Sequence, residues 1–231
     1  MQAVILAAGR GTRMGALTEH TPKPMLLVSG RPFLEYIIEN TPEKVDEIVF
    51  IVGHLGEIIK NNFGDIWKGK KIRYVWQTEL KGTGPALWLT KDILHGKFLV
   101  LYADDMYPKA DLEKCIEKDW SLLVLKQESL TRGGKVVINE KGELMDIIES
   151  NNHGGEAGVL NAGVYVLQPE IFKYELVKTQ DKEEWGLPQT IISASKDHPI
   201  SVVETHSRIS ITSPEDLETA ERLIKSDFLN K

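Results

Sequence analysis

The chain opens on an unbroken apolar run, Ala3-Val4-Ile5-Leu6, and then repeats a rhythm of short runs rich in Val, Ile and Tyr separated by stretches with helical spacing. Strands are expected at 2–7, 47–52, 71–77 and 97–103, with helices at 32–40, 54–62 and 83–94 between them. Strands that alternate with helices need crossover connections, which make them parallel neighbours in a sheet covered on both faces. Beyond Trp120 the rhythm changes. Apolar segments at 122–127, 135–139, 144–149 and 160–167 follow one another closely, joined by polar loops such as Asn151-Asn152-His153-Gly154-Gly155. This half is expected to be more antiparallel. The pattern therefore predicts one α/β domain: a mostly parallel central sheet flanked by helices over 1–119, and a more antiparallel half over 120–231. Near the end, Ser213-Pro214-Glu215-Asp216 reads as a helix start, with Ser213 at the N-cap, Pro214 in the first helical position and carboxylates in the first turn.

Composition narrows the partners. The 231 residues carry 28 Lys and Arg against 34 Asp and Glu, a formal charge of −6, which argues against general nucleic-acid or anionic-membrane binding because both need a basic face. Functional cations must be local. The start MQAVILAAG lacks a basic region and no apolar run approaches the length of a bilayer span, so a cytoplasmic location with no membrane partner is expected. Cys115 is the single cysteine, which rules out an intramolecular disulfide and suits a buried or half-buried helix position. Homo-oligomer formation is left open.

The chemistry gathers in three loops. After the first strand come Ala7-Ala8-Gly9-Arg10-Gly11-Thr12-Arg13-Met14 and then Pro22-Lys23-Pro24-Met25. Glycines let successive backbone N–H groups approach phosphate oxygens, and Arg13 and Lys23 add full charges, so the loop suits a polyphosphate. A dinucleotide fingerprint would need a third glycine where Met14 stands, and a P-loop would need Gly-Lys-Ser/Thr where Met14-Gly15-Ala16 follows. Both fit badly. After the third strand, Gln77 precedes Gly82-Thr83-Gly84-Pro85; its amide can donate and accept, as the imide edge of uracil or thymine requires, and Gly82 lets backbone come close. After the fourth, Asp104-Asp105 can supply a carboxylate to Mg²⁺ that is shared with phosphate oxygens. Taken singly, the second and third loops also suit a strand end and a helix cap. All three fall at the carboxyl edge of the expected parallel strands, where such sheets bind ligands.

Together LAAGRGTRM, PKPM, Gln77 with KGTGPAL, YADD, IIES, LNAGVY and SPEDL resemble the sugar-1-phosphate nucleotidyltransferase family over nearly the whole chain. The resemblance implies a nucleotide-binding sheet of the glycosyltransferase-A type. It implies a reaction in which a sugar 1-phosphate oxygen attacks the α-phosphorus of a nucleoside triphosphate and releases pyrophosphate, with UTP or dTTP favoured by Gln77. Arg13 and Lys23 would be catalytic; Leu6, Ala7, Ala8, Gly9, Gly11, Thr12, Gln77, Gly82 and Thr83 would bind nucleotide; Gly134, Glu149, Asn161 and Arg208 would bind the sugar phosphate; Asp104 would hold Mg²⁺. Two positions depart from the family pattern. Glu149-Ser150 stands where Glu-Lys is usual, and Ser210 stands where a carboxylate would be a second metal ligand. Arg208 or Lys135 could supply the missing cation. A nucleotide-binding regulatory or sensing subunit, and an acceptor other than a hexose phosphate, are the alternatives.

Other prominent residues read as structural. Trp76, Trp88 and Trp120 fall on expected core faces, His54 can cap or pack a helix start, His206 lies in a strand pattern, and Glu183-Glu184-Trp185-Gly186 reads as a loop over the sugar or as a solvated acidic turn before a helix, the turn being slightly favoured.

Overall fold

A computed structural model describes residues 1–179 and 183–226. Strand β1 (Gln2–Ala7) leads through the glycine loop to the small hairpin β2 (Leu27–Val28) and β3 (Arg31–Pro32), then helix α1 (Phe33–Glu39). There follow β4 (Glu47–Val52), α2 (Gly56–Phe63), the short β5 (Ile66–Trp67), β6 (Lys70–Trp76), α3 (Thr83–Trp88), β7 (Phe98–Tyr102), β8 (Asp105–Met106) and α4 (Lys109–Ile116). The second half contributes β9 (Ser121–Gln127), β10 (Gly133–Ile138), β11 (Leu144–Ser150), β12 (Gly158–Leu167), α5 (Leu187–Ala194), β13 (Ser201–Thr205), β14 (Ile209–Ser210) and α6 (Asp216–Lys225).

The main sheet runs β11-β10-β12-β7-β1-β4-β6-β5, with β9 on β12 and β13 on β9. β7, β1, β4 and β6 are mutually parallel, whereas β12 runs antiparallel to β7 through Tyr165↔Val100 and Leu167↔Phe98. The alternation of β1 shows why its apolar run is continuous: Ala3, Ile5 and Ala7 enter one hydrophobic cluster and Val4 and Ala8 the other, on opposite faces. The same division separates Ile48 and Phe50 from Val49 and Ile51, and Leu99 and Leu101 from Phe98 and Val100. From β1 the chain steps outward to β4 and β6 and then returns to β7 on the other side of β1. The strand order therefore reverses between β1 and β7, which opens a crevice at their carboxyl ends.

The half expected to be more antiparallel is so in its β10–β11, β10–β12 and β9–β12 pairs; β13, parallel to β9 through the crossover helix α5, is the exception. Several other expectations are corrected. Helix α3 ends at Trp88 rather than at 94 because the Thr90 hydroxyl takes the Leu87 carbonyl and the chain continues as turns. Helix α6 begins at Asp216, and Ser213 is not its cap. Instead Asp216 Oδ2 accepts from the N–H and hydroxyl of Thr212 and the N–H of Ser213, at 2.7–2.8 Å, so the helix start holds the preceding loop. Trp76 is 40% exposed at the end of β6, where only the two-residue β5 lies beyond. Trp120 is buried and stacks on His198; Trp88 is half-buried, edge-on to Phe172. His54 does not cap α2, whose N-cap is Leu55, and His206 lies exposed at a bend past β13. Cys115 is fully buried in α4, and burial pushes its thiol up to about 12. Among the described residues no helix is long and apolar enough to cross a membrane.

Candidate active site

The crevice between β1 and β7 is a cleft of about 370 Å³. Leu6, Ala7, Ala8, Gly9, Gly11, Thr12, Arg13, Lys23, Gln77, Gly82, Thr83 and Asp104 all line it, so the three loops converge. In the first loop Gly11 adopts φ +66°, and a Cβ there would come within 3.0 Å of the Lys23 Cβ and 3.1 Å of the Thr18 methyl. The turn is closed by Met14 N–H on the Gly11 carbonyl at 2.8 Å, while the Thr18 hydroxyl donates to the same carbonyl at 3.1 Å. The Met14 side chain is buried in the core, which anchors the loop from below. Lys23 is buried between its two prolines, and its Nζ lies 2.7 Å from Asp104 Oδ2. Arg13 is exposed on the cleft wall. One cation is thus held in place by the fold and the other stands toward solvent.

At the far end of the cleft, Gln77 is buried and its backbone N–H continues the β4–β6 ladder onto Val52. Its Nε2 donates to the Gly82 carbonyl at 3.3 Å, leaving the amide oxygen and a second N–H for a ligand. Gly82 has φ +109°, and a Cβ there would collide with the Trp185 carbonyl. That carbonyl accepts from Gly84 N–H, Trp185 N–H donates to Lys81, and Leu187 N–H donates to Thr83 Oγ1, all at 2.8–3.0 Å. The segment expected to be a solvated acidic turn is therefore clamped along the base loop, and Glu184 lines the cleft. Sequence reasoning did not assign Glu184, Leu80 or Thr212 to this cleft, which all three line. The aromatic Trp185 inside an otherwise acidic turn was the available signal.

At the end of β7 sits a cluster of charge. Asp105 is largely buried, and desolvation together with the neighbouring Asp104 pushes it up to about 6, against the opposing pull of Arg208 and the Ser210 hydroxyl. Arg208 Nε lies 3.9 Å from Asp105 Oδ1, and the guanidinium also bonds the Tyr107 hydroxyl, which in turn donates to the Ala162 carbonyl at 2.6 Å. Burial works against the charge of Arg208, but Asp105 and Tyr107 outweigh it and hold it above its ordinary value. β8 and β14 form the frame of this cluster, with Asp105 opposite Ser210 and Met106 opposite Ile209.

The residues of the second half expected at the sugar phosphate stand back from the cleft. Gly134 pairs with Glu149 across β10 and β11, and a Cβ at 134 would stand 2.7 Å from Glu149 Oε1, so the absent side chain is what admits the carboxylate. Asn161 Nδ2 donates to the Tyr165 hydroxyl at 2.8 Å, and Asn161 Oδ1 accepts from Gly163 N–H at 3.0 Å. The Tyr102 hydroxyl is bonded by both Tyr165 and Thr83, and its ring lies over Gly163, where a Cβ would come within 2.8 Å of it. Burial pushes Tyr102 up to about 12, so it stays neutral. Gly134, Glu149, Asn161 and Arg208 do not themselves line the cleft.

A family model described as nucleotidyl transferase matches residues 2–199. The chain belongs to that family. It is 32% identical over 239 residues to the bifunctional protein GlmU of Methanococcus aeolicus, covering all of this chain and 57% of that one. A GlmU from Methanocaldococcus jannaschii is covered over 49%, so the chain spans about half the length of these relatives. It is 29% identical to the UTP–glucose-1-phosphate uridylyltransferase AglF of Haloferax volcanii, over 98% of both chains. It is 33% identical to the D-glycero-alpha-D-manno-heptose 1-phosphate guanylyltransferase of Campylobacter jejuni, over 74% of this chain and 78% of that one. The crystal structure of a UDP-glucose pyrophosphorylase complexed with UDP-glucose shares the fold, with a TM-score of 0.82 at 19% identity over 97% and 98% of the two chains.

Within this member of the family the two departures have local explanations. Ser150 ends β11 in a turn: its Oγ accepts from Asn152 N–H at 3.0 Å and donates to the Asn152 carbonyl at 2.9 Å, a closure that a lysine could not make. Lys135 is the partner of Ile148, so it lies on the hairpin face opposite Glu149, and like Arg208 it stays outside the cleft lining. Ser210 faces a carboxylate instead of supplying one.

Proposed function

We propose that this chain transfers a nucleotidyl group from a nucleoside triphosphate to a sugar 1-phosphate, giving a nucleotide sugar and pyrophosphate. The observation that carries the reading is the convergence of the Gly9–Arg13 loop, the Lys23–Asp104 pair and Gln77 in one cleft at the strand-order reversal. In-line displacement at phosphorus asks for alignment and charge neutralisation more than for a protein nucleophile. The loop N–H groups and Arg13 would cradle the leaving pyrophosphate, while Lys23, buried and fixed by Asp104, would meet the α-phosphate at one geometry. Gln77 Oε1 would accept from the imide N–H of uracil or thymine, which favours UTP or dTTP. The Gly134-admitted Glu149, Asn161 and Arg208 would orient the sugar phosphate.

A divalent cation fits the oxygen donors beside the polyphosphate end, with Asp104 as its protein ligand, and Mg²⁺ would supply neutralisation of triphosphate charge there. The proposed partners are small molecules of the cytoplasm, with neither nucleic acid nor membrane in the reading.

Pyrophosphate release should be measured with Mg²⁺ across the four nucleoside triphosphates against hexose, amino-sugar and heptose 1-phosphates; the heptose is included because of the guanylyltransferase relative. Release that needs both substrates, fastest with UTP or dTTP, is expected. Nucleotide binding without release in any pair would replace this reading with a sensing subunit.

A further inference from the structure

We infer that Glu184 is a substrate-binding carboxylate that accepts from the hydroxyls of a sugar ring in the cleft; this rests on the nucleotidyl-transfer reading. Among the described residues, two carboxylates line the cleft, Asp104 and Glu184. Asp104 is paired with Lys23. The Glu184 carboxylate has no hydrogen-bond or ionic partner among the described residues, and the residue is exposed.

Its neighbours show how it comes to stand there. Trp185 forms an antiparallel bridge with Lys178, whose ammonium lies 5.1 Å from the centre of the Trp185 ring and 2.7 Å from Glu183 Oε2. Glu183 and Trp185 are thus both drawn to Lys178, while Glu184 between them lines the cleft. The peptide group joining Glu184 to Trp185 is held at both ends. Its carbonyl accepts from the Thr179 N–H at 2.8 Å and the Thr179 hydroxyl at 3.2 Å, and its N–H donates to the Lys81 carbonyl at 2.8 Å. The cation of that loop, Lys81, is already paired with Glu79. A fixed backbone therefore carries an uncompensated, acceptor-only group into a cleft whose other charges suit phosphates.

A carboxylate repels phosphate oxygens, so its ligand must be a donor. Glu184 belongs to the base end, because the next residue, Trp185, packs its backbone against Gly82, whereas Arg13 and Lys23 belong to the first loop. Of the donors that the two substrates bring, the base imide is given to Gln77, and the hydroxyls remain. Two neighbouring hydroxyls match the two oxygens of a carboxylate, as when an acidic residue takes a ribose in dinucleotide-binding folds. The ribose adjoins the base, and the acceptor sugar brings the same donors.

Pyrophosphate release is measured for the wild type, Glu184→Ala and Glu184→Gln. The substrates are the triphosphate of the preferred base with ribose, 2′-deoxyribose or 3′-deoxyribose, and the preferred sugar 1-phosphate with its deoxy forms. Melting should match the wild type, since the fold makes no use of the Glu184 side chain. The wild type should favour a hydroxylated substrate over one of its deoxy forms by about 10- to 100-fold in kcat/KM, the range for a hydrogen bond to a charged group. Glu184→Ala should erase that preference, and Glu184→Gln, which keeps an acceptor, should retain part of it. Erasure among the nucleotides assigns the carboxylate to the ribose, and erasure among the sugar phosphates assigns it to the acceptor. A folded Glu184→Ala protein that keeps every preference would overturn the inference. So would an equal change for hydroxylated and deoxy substrates, which is the mark of long-range charge alone. In both cases the wild type still transfers, and the nucleotidyl-transfer reading stands. Absence of release by the wild type in any pair would remove both readings.

Discussion

Lys23 and Arg13 show how two cations in one cleft differ in what the fold has done to them. Lys23 is buried, flanked by prolines and fixed by Asp104 at 2.7 Å, so its ammonium is aimed before any ligand arrives. Arg13 is exposed and must be ordered by the phosphates it meets. Lys23→Ala should therefore lower turnover by about 10²- to 10³-fold, the range for a preorganised charge at a transition state, with little change in the Michaelis constant for nucleotide. Arg13→Ala should affect that constant as well. Asp104 is partly exposed, so losing Lys23 does not leave a dry, unpaired carboxylate, and melting should be nearly unchanged. Steady-state pyrophosphate release decides it; wild-type turnover in the folded Lys23 variant would remove it from the chemistry. Both residues were legible in the sequence, because a cation placed among glycines or between prolines has few plain structural uses. The environments of Arg208 and Asp105 were not, since cross-strand pairing between residues a hundred positions apart leaves no local pattern.

Elements were legible to the degree that burial dictated their pattern. β1 and β4 run over the expected residues because both faces of these strands enter the core, which forces an unbroken apolar run. The two-residue strands β8 and β14 bury too little to announce themselves, yet they frame the charge cluster. The docking of residues 184–187 on the base loop was hidden for a related reason: it is made by backbone groups, whose pairing no side chain reports. Its one requirement is a residue without a Cβ at position 82, where φ is +109° and the Trp185 carbonyl fills the space. Gly82→Ala should therefore release the segment, destabilise the protein by about 1–3 kcal/mol through strain, and raise the Michaelis constant for nucleotide more than it lowers turnover. Gly9→Ala is the contrast, since nothing lies within 4 Å of a Cβ there and φ is not left-handed, so its fold should melt as the wild type does. A Gly82→Ala protein with an unchanged melting temperature would show that the segment is not clamped through this contact.

At the scale of the molecule, the question is how two halves joined by one sheet can act on two substrates at once. The sheet itself crosses the boundary where β12 pairs with β7, both hydrophobic clusters draw side chains from the two halves, and one polar chain also crosses. Tyr102 ends β7, its ring lies over Gly163, and its hydroxyl is bonded by Thr83 of the base loop and by Tyr165, which is bonded to Asn161. Because the hydroxyl stays neutral at all ordinary pH, these bonds do not depend on titration. Tyr102→Phe keeps the ring and deletes the acceptor; Tyr165 can still donate to Asn161 Oδ1 at 3.1 Å, but the Thr83 hydroxyl loses its partner, and the expected cost is about 1–3 kcal/mol in stability. If the chain Thr83–Tyr102–Tyr165–Asn161 only packs the interior, the loss ends there. If it transmits position, occupancy of the nucleotide end fixes Asn161, and Tyr102→Phe should raise the Michaelis constant for sugar phosphate several-fold while the nucleotide constant changes little. A cycle with Tyr165→Phe separates the two cases: hydroxyls acting through one chain should give effects on the sugar-phosphate constant that fail to add, whereas independent packing losses should add within about 0.5 kcal/mol.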